Sequence, residues 1–264
     1  MSKLALITGG SGGVGFETTK RFALEGFRIL WVALDENELA EAKQKLIAEF
    51  PNVELNYLQK DLSQLSAAQE VMDWVKENKW EVDVLINNAG FATFGLQQDI
   101  PIEREMSMIQ LNVMNLYQMT RLFLDDFLAR NKGTIINISS NSSFQPSVRI
   151  NTYASTKAFV THFSRGLSEE LKMQGSNVKV LTVCPAAIRD TAFKKVAGME
   201  KAKTFTGIAY TTSKEVAKDI FKAYKTGKSF TITGAKMRIL YQISKLVPYG
   251  IQQYVVRKET EESK

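Results

Sequence analysis

The sequence predicts an α/β domain, a doubly wound and mainly parallel sheet of seven strands with helices on both faces, followed by a C-terminal helical extension. Three observations carry this reading. Short β-branched runs recur at 4–8, 28–33, 53–58, 82–87, 134–138, 178–184 and 229–233. Between most of them lie stretches of helical apolar spacing, such as Leu39, Ala42, Leu46 and Val71, Trp74, Val75. No fixed-period repeat, low-complexity tract or flexible linker divides the chain. Strands that alternate with helices pair in parallel through crossovers, and a parallel sheet needs both faces covered. One domain is therefore expected over 1–264, with a substrate loop at 191–212 and the extension at 236–264.

Composition removes several alternatives. With 264 residues, 44% hydrophobic and 23% charged, the chain has the make-up of an ordinary globular protein. A single cysteine, Cys184, closes no intrachain disulfide, and a single histidine, His162, supplies no His-based metal site, so no metal is expected. No apolar run reaches the ~18 residues of a membrane span. The first strand begins within four residues of the start, which leaves no room for a signal peptide, so a cytoplasmic protein is expected. The net charge of +6 is lopsided: residues 1–200 hold 21 Lys and Arg against 23 Asp and Glu, and residues 201–264 hold 13 against 5. A solvated lysine-rich surface is the simplest reading of that excess, with an anionic substrate, a membrane surface or nucleic acid as alternatives. No nucleic-acid partner is expected.

In open parallel sheets ligands bind beyond the carboxyl ends of the strands, so the residues following each run are where chemistry belongs. After the first run comes Thr8-Gly9-Gly10-Ser11-Gly12-Gly13-Val14-Gly15, opening a helix at Phe16. Glycines there let backbone approach a pyrophosphate seated on free helix N–H groups. Gly9, Ser11, Gly12, Gly13, Val14 and Gly15 are thus candidate dinucleotide contacts, and their spacing fits several dinucleotide patterns at once.

Asp35 lies 20 residues after Gly15, where a carboxylate grips an adenosine ribose. Asp35 and Glu38 also have the spacing of a helix start, and both readings stand. Asp61 and Leu62, after the third strand, border an adenine or form a solvated loop. Asn87-Asn88-Ala89-Gly90 follows the fourth, where carboxamides knit strands together while Asn88, Ala89 and Gly90 pass the cofactor. A long helix is expected over Glu103 to Arg130, with Asn112 inside an apolar run; its carboxamide needs partners, either structural backbone groups or a water leading to the site.

The fifth strand ends in Ser139-Ser140, and Tyr153-Ala154-Ser155-Thr156-Lys157 follows. Tyrosine and lysine at i, i+4 share a helix face, so an ammonium beside the phenol would draw its pKa down towards working pH. Ser140 supplies a hydroxyl to hold a substrate oxygen.

Together these residues resemble the short-chain dehydrogenase/reductase family, in its single-domain branch. TGGSGGVG, Asp61-Leu62, Asn87 to Gly90, Asn112, the run INISS ending at Ser140, and YASTK at 153–157 match in order over about residues 3–235. The resemblance implies a Rossmann fold and an NAD(P)-dependent oxidoreductase that moves a hydride between nicotinamide and a carbonyl or secondary alcohol. It further implies that Tyr153 is the general acid/base, that Lys157 holds the nicotinamide ribose, that Ser140 orients the carbonyl and that Asn112 anchors a proton-relay water. Phe144-Gln145-Pro146 and residues 163–171 look like the branch that includes reductases of bulky ketones. A catalytically idle nucleotide-sensing or scaffolding module of the same fold is the alternative, and the intact Asn112, Ser140, Tyr153, Lys157 set argues against it.

Three departures from the family pattern matter. Where the family has Pro-Gly and then a threonine, this chain has Pro185-Ala186-Ala187-Ile188-Arg189-Asp190-Thr191, so nicotinamide contacts are expected of Pro185 and Ile188 and are open for Asp190 and Thr191. Ala33, Leu34 and Gly12 stand where cofactor-selecting residues usually are; with no basic group there and Asp35 nearby, the cofactor, NAD or NADP, leans weakly to NAD. Finally, Ile239, Leu240, Ile243, Leu246 and Val247 have helical spacing up to Pro248. A helix covering the substrate cleft or a partner subunit is expected, with peripheral membrane contact through this basic segment as the alternative. The long helix is apolar nearly all round, which predicts a homo-oligomer through it and through the helix from Ala154.

Overall fold

The structure, a computed structural model, describes residues 2–199 and 210–260. The first half alternates regularly: β1 (Leu4–Thr8), α1 (Gly13–Leu24), β2 (Arg28–Ala33), α2 (Glu36–Glu49), β3 (Leu55–Gln59), α3 (Ala67–Glu77) and β4 (Val84–Asn87). The predicted helix 103–130 is α4 (Ile102–Ile109), a π-helical stretch over Gln110–Asn115, and α5 (Leu116–Ala129). Then follow β5 (Thr134–Ile138), α6 (Asn151–Met173), β6 (Lys179–Cys184), the short β7 (Ala187–Ile188), α7 (Phe193–Ala197), β8 (Tyr210–Thr211), α8 (Ser213–Lys225), β9 (Phe230–Ile232), α9 (Ala235–Ser244) and α10 (Tyr249–Thr260).

Among the described residues the main sheet has seven strands in the order β3-β2-β1-β4-β5-β6-β9, every pairing parallel. Its strands are apolar on both faces because each face carries a core. Leu4, Leu6, Val71, Phe123 and Phe127 fill one, and Ile7, Phe22, Trp31, Ile86 and Ile220 fill the other. Strand order reverses between β1 and β4, and a crevice opens there beyond their carboxyl ends.

Buried polar groups brace that point. The Thr8 hydroxyl accepts from the backbone N–H of Asn88 (2.9 Å) and of Ala89 (3.0 Å), while Asn88 Nδ2 donates to the carbonyls of Thr8 (2.9 Å) and Gly9 (3.2 Å). Asn87 Nδ2 reaches Asn137 Oδ1 (2.9 Å) on the neighbouring strand, and Asn137 Nδ2 reaches Ser164 (2.9 Å) on α6. Each such bond exchanges a water partner for a protein one and contributes about 1 kcal/mol net, but losing one partner would strand the other in the core at a greater cost.

The C-terminal extension does not take the first of its two expected places, over the substrate cleft. It consists of two helices, and Ile239, Leu240, Ile243 and Leu246 point into solvent instead of onto the substrate cleft. Packing uses the other side of α9: the Tyr241 ring lies 4.3 Å from that of Phe144, and Asn141 Nδ2 donates to Met237 Sδ at 3.9 Å. Of the substrate loop, α7 and β8 are described; Lys201, Lys203, Phe205 and Ile208 lie outside the described residues.

Candidate active site

The crevice is a cleft of about 860 Å3 running from α2 to α7. Every candidate cofactor residue predicted from the sequence lines it except Gly15 and Asp35, and Ser140, Tyr153 and Lys157 line it too. The glycine turn fits a pyrophosphate. Gly15 acts from behind the cleft wall: a Cβ on it would stand 2.0 Å from the Gly9 carbonyl oxygen, so the loop closes tightly only without one. In front of Gly12, by contrast, there is no atom within 4 Å. That open space adjoins the first N–H groups of α1, which have no intrahelical acceptor and favour an anion.

Asp35 caps its own helix, accepting from Glu38 N at 3.0 Å. The helix-start reading of this residue describes its contacts. Asp61 is held in a turn by Ser63 N (2.9 Å), Ser63 Oγ (2.7 Å) and Gln64 Nε2 (3.1 Å). Burial pushes its carboxyl upward, but these bonds outweigh it and leave the pKa below the usual value.

Asn112 sits in the π-helical stretch, where its carboxamide clamps the loop after β4. Nδ2 donates to the Phe91 carbonyl (2.9 Å) and to Thr156 Oγ1 (3.2 Å), and Oδ1 accepts from Phe91 N (3.3 Å). Two of these bonds go to the Phe91 backbone and one to the Thr156 side chain. The clamp holds Gly90 and Phe91 beside Lys157, whose Nζ donates to the Ile138 carbonyl at 3.0 Å.

Tyr153 lies at the centre. Its ring is 5.5 Å from that of Phe193, and the Lys157 ammonium is 5.8 Å from its centroid. Burial pushes the phenol up to about 12, although the Ser140 hydroxyl draws it partly back, and burial pulls the Lys157 ammonium down to about 8. The expected drop in the tyrosine pKa is therefore not seen. The ammonium spends its bond on the Ile138 carbonyl, and desolvation by the apolar wall dominates the phenol. Ser140 is oriented by Ser142, whose N–H (3.2 Å) and hydroxyl (2.9 Å) both reach its Oγ.

The shifted segment after β6 resolves at Asp190 and Thr191. Asp190 turns away and accepts from Ser213 N (2.8 Å) and Oγ (3.0 Å) at the start of α8. Thr191 lines the cleft; its Cγ2 would be 3.2 Å from a Cβ on Gly13, and its buried Oγ1 has no partner among the described residues. Thr191 thus stands beside the glycine turn, one residue after the position where the family pattern has its threonine. The nearby Cys184 is buried, and burial raises its thiol pKa, so it does not offer a nucleophile.

Comparison with known proteins agrees with this geometry. The family model for short chain dehydrogenases matches residues 3–202. An NADP-dependent 3-hydroxy acid dehydrogenase of Escherichia coli K12 is 32% identical over 195 residues, 73% of this chain and 75% of that one. Among solved structures, a short-chain dehydrogenase from Sphingobium yanoikuyae in complex with NADPH superimposes with a TM-score of 0.79 at 29% identity, covering 92% of this chain and 94% of that one. The bulky-bulky ketone specific alcohol dehydrogenase of Comamonas testosteroni superimposes with a TM-score of 0.74 at 28% identity, covering 92% of both chains. The chain belongs to the short-chain dehydrogenase/reductase family. It is an oxidoreductase that uses a nicotinamide dinucleotide.

Proposed function

We propose that the protein is an NADP(H)-dependent reductase of apolar ketones, in which Tyr153 gives the proton to the substrate oxygen. The observation that carries this reading is the placement of Tyr153, Ser140 and Lys157 together on the cleft wall beside Phe91, Ile150 and Phe193; burial, which pushes the phenol up to about 12, is consistent with a group that keeps a proton to give. The bound cofactor would supply the hydride. Ser140 orients the carbonyl oxygen towards the phenol. Lys157 would hold the nicotinamide ribose and keep a positive charge near the developing oxyanion, Asn112 positions Gly90 and Phe91 beside the lysine, and Thr191 and Ile188 line the part of the cleft that would take the nicotinamide.

The choice of NADP(H) reverses the lean towards NAD. That lean counted Asp35 as a like charge beside a 2′-phosphate, but its carboxylate is turned to Glu38 N. Lys60, paired with Glu70, lines the adenosine end of the cleft, and the Escherichia coli relative is named NADP-dependent. Around Tyr153 the wall is Phe91, Ile150, Phe193, Val196 and Met199, and among the described residues lining that end Lys157 is the only cation. Such a wall suits an uncharged apolar ketone. A 3-hydroxy acid, the substrate class in that relative's name, is the second reading, and its carboxylate would have to draw Arg104 from the Val196 carbonyl that it holds behind that wall.

A panel of apolar ketones and 3-oxo acids with NADPH and NADH, followed by absorbance of the reduced nicotinamide, tests the assignment. Turnover of ketones with NADPH supports it; turnover of 3-oxo acids alone, or with NADH alone, overturns the corresponding half.

A pH profile follows from the same two groups. Lys157 is protonated below about 8 and loses its charge as pH rises through that value, whereas Tyr153 stays protonated to about 12. Reductive kcat/KM is expected to be level through neutrality and to fall above pH of about 8. Lys157→Ala should lower the rate and remove that limb, and a wild-type profile level to pH ~10, the ordinary lysine range, would disconnect the lysine from the reaction.

The outer side of α5 and α6 supports self-association. Tyr117 and Phe159 are exposed there, Phe159 stacks on Phe163 at 5.7 Å, and Tyr117 lies 5.3 Å from that same ring. Exposed aromatics in such a cluster mark contact surfaces. A homodimer through these helices is expected, with Phe159→Asp and Tyr117→Asp shifting the mass measured by light scattering to the monomer.

A further inference from the structure

The two C-terminal helices carry an apolar, basic surface that neither the sheet nor the cleft uses. Ile239 and Ile243 lie on the side of α9 away from its packed Met237 and Tyr241, and Leu246 follows in the turn beyond the helix; Leu246 is 86% exposed and Ile239 63%. On α10, Ile251, Tyr254 and Val255 are exposed opposite the buried Val256 and Thr260. Both helices are fastened: Gln252 Nε2 donates to the carbonyls of Ser244 (2.9 Å) and Val247 (2.7 Å), closing the turn between them, and Gln253 Nε2 donates to the Pro146 carbonyl (3.1 Å). Their outward apolar side chains therefore belong to docked helices, and each costs free energy while it faces water.

Charge decides what covers them. The two helices and the turn between them, residues 235–260, contain five Lys and Arg and one acidic residue, Glu259. Arg238 pairs with Asp219 at 2.9 Å, Lys245 lies over the Tyr241 ring, and Lys236, Lys245 and Arg257 are exposed with the apolar residues. A second copy seated on this surface about a two-fold axis would set five cations against five with a single carboxylate from each copy's two helices. No helix among the described residues is long and apolar enough to cross a membrane. The surface of an anionic bilayer meets both requirements. Isoleucines and leucine enter the boundary between headgroups and acyl chains, tyrosines rest at headgroup level, and lysines meet lipid phosphates.

We propose that α9 and α10 form an interfacial anchor that lays this enzyme on an anionic lipid bilayer. The test is co-sedimentation of the full chain with vesicles of phosphatidylcholine alone and of phosphatidylcholine mixed with phosphatidylserine. Binding is expected to be at least ~10-fold stronger to the mixed vesicles and to fall as salt screens the charges. Lys236→Gln and Lys245→Gln should weaken it roughly fivefold each. Ile243→Asp with Leu246→Asp should abolish it while leaving the thermal melt and turnover of a soluble ketone unchanged, because both side chains are exposed. Equal binding to the two vesicle types, no binding to either, or full binding by the Ile243→Asp, Leu246→Asp variant would overturn the anchor. Loss of oligomer mass in that variant, with no vesicle binding by the parent, would show that a second copy covers the surface instead.

Discussion

Tyr153→Phe is expected to lower turnover at least ~100-fold and to leave dinucleotide affinity within a few-fold, since a positioned general acid contributes roughly 10²–10⁴. The substitution removes one oxygen and keeps the ring that packs 5.5 Å from Phe193. Lys157 keeps its bond to the Ile138 carbonyl, so the cofactor side of the cleft is undisturbed. Stopped-flow reduction together with fluorescence titration of the reduced dinucleotide separates the two quantities. A phenylalanine variant that turns over like the parent would remove the phenol from the reaction, whatever its burial.

The second large effect concerns the glycine turn, where two neighbouring substitutions should behave oppositely. At Gly15 an alanine Cβ would overlap the Gly9 carbonyl oxygen at 2.0 Å and press on Asn88 Nδ2 at 2.8 Å. Both are fixed, because Asn88 is bonded to the Thr8 and Gly9 carbonyls. The turn must open, at a cost of about 1–3 kcal/mol in stability. Dinucleotide affinity is expected to fall by ~100-fold or more with the loss of the anion cradle. At Gly12 the backbone is extended, with φ of −147°, and a Cβ meets nothing. Gly12→Ala should therefore melt within ~0.5 kcal/mol of the parent. Any loss of affinity in Gly12→Ala then measures how closely the dinucleotide fills that space. Parallel thermal melts and titrations of the two variants decide the matter, and a Gly15→Ala protein with parental melt and affinity would refute the close approach.

Features that depend on neighbours in sequence were legible beforehand. The strands show as β-branched runs, the glycine turn follows the first of them, and Tyr153 and Lys157 share a helix face by spacing alone. Features set by distant packing were not. The π-helical stretch arises where Asn112 closes on Phe91, twenty-one residues away, and periodicity carries no trace of that contact. Asp35 could cap a helix or hold a ribose with the same local pattern, and the direction its carboxylate turns decides between them. Asp190 finds its partner in Ser213 across the loop, which frees Thr191 for the cleft. The phenol pKa escaped for the same reason: spacing reveals a nearby lysine but not the apolar wall that outweighs it. In the extension, helical spacing was correctly read, but which side of the helix faces the protein was set by Tyr241 and Met237 meeting Phe144 and Asn141.

The wide turn at Gln110–Asn115 has a consequence for the geometry of the whole long helix. Each residue of an α-helix advances about 100° around its axis, and a π turn absorbs extra chain and so offsets the two halves in phase. One half uses its phase to point Arg104 at the Val196 carbonyl of α7, 2.6 Å away, over the substrate end of the cleft. The other uses a different phase to present Tyr117 outward while Met119 and Phe123 stay in the core. Deleting one residue from this stretch would give a more regular helix and a worse enzyme. The two halves could no longer be in step with their separate neighbours, and either the Arg104 latch or the outer aromatic face would rotate out of place.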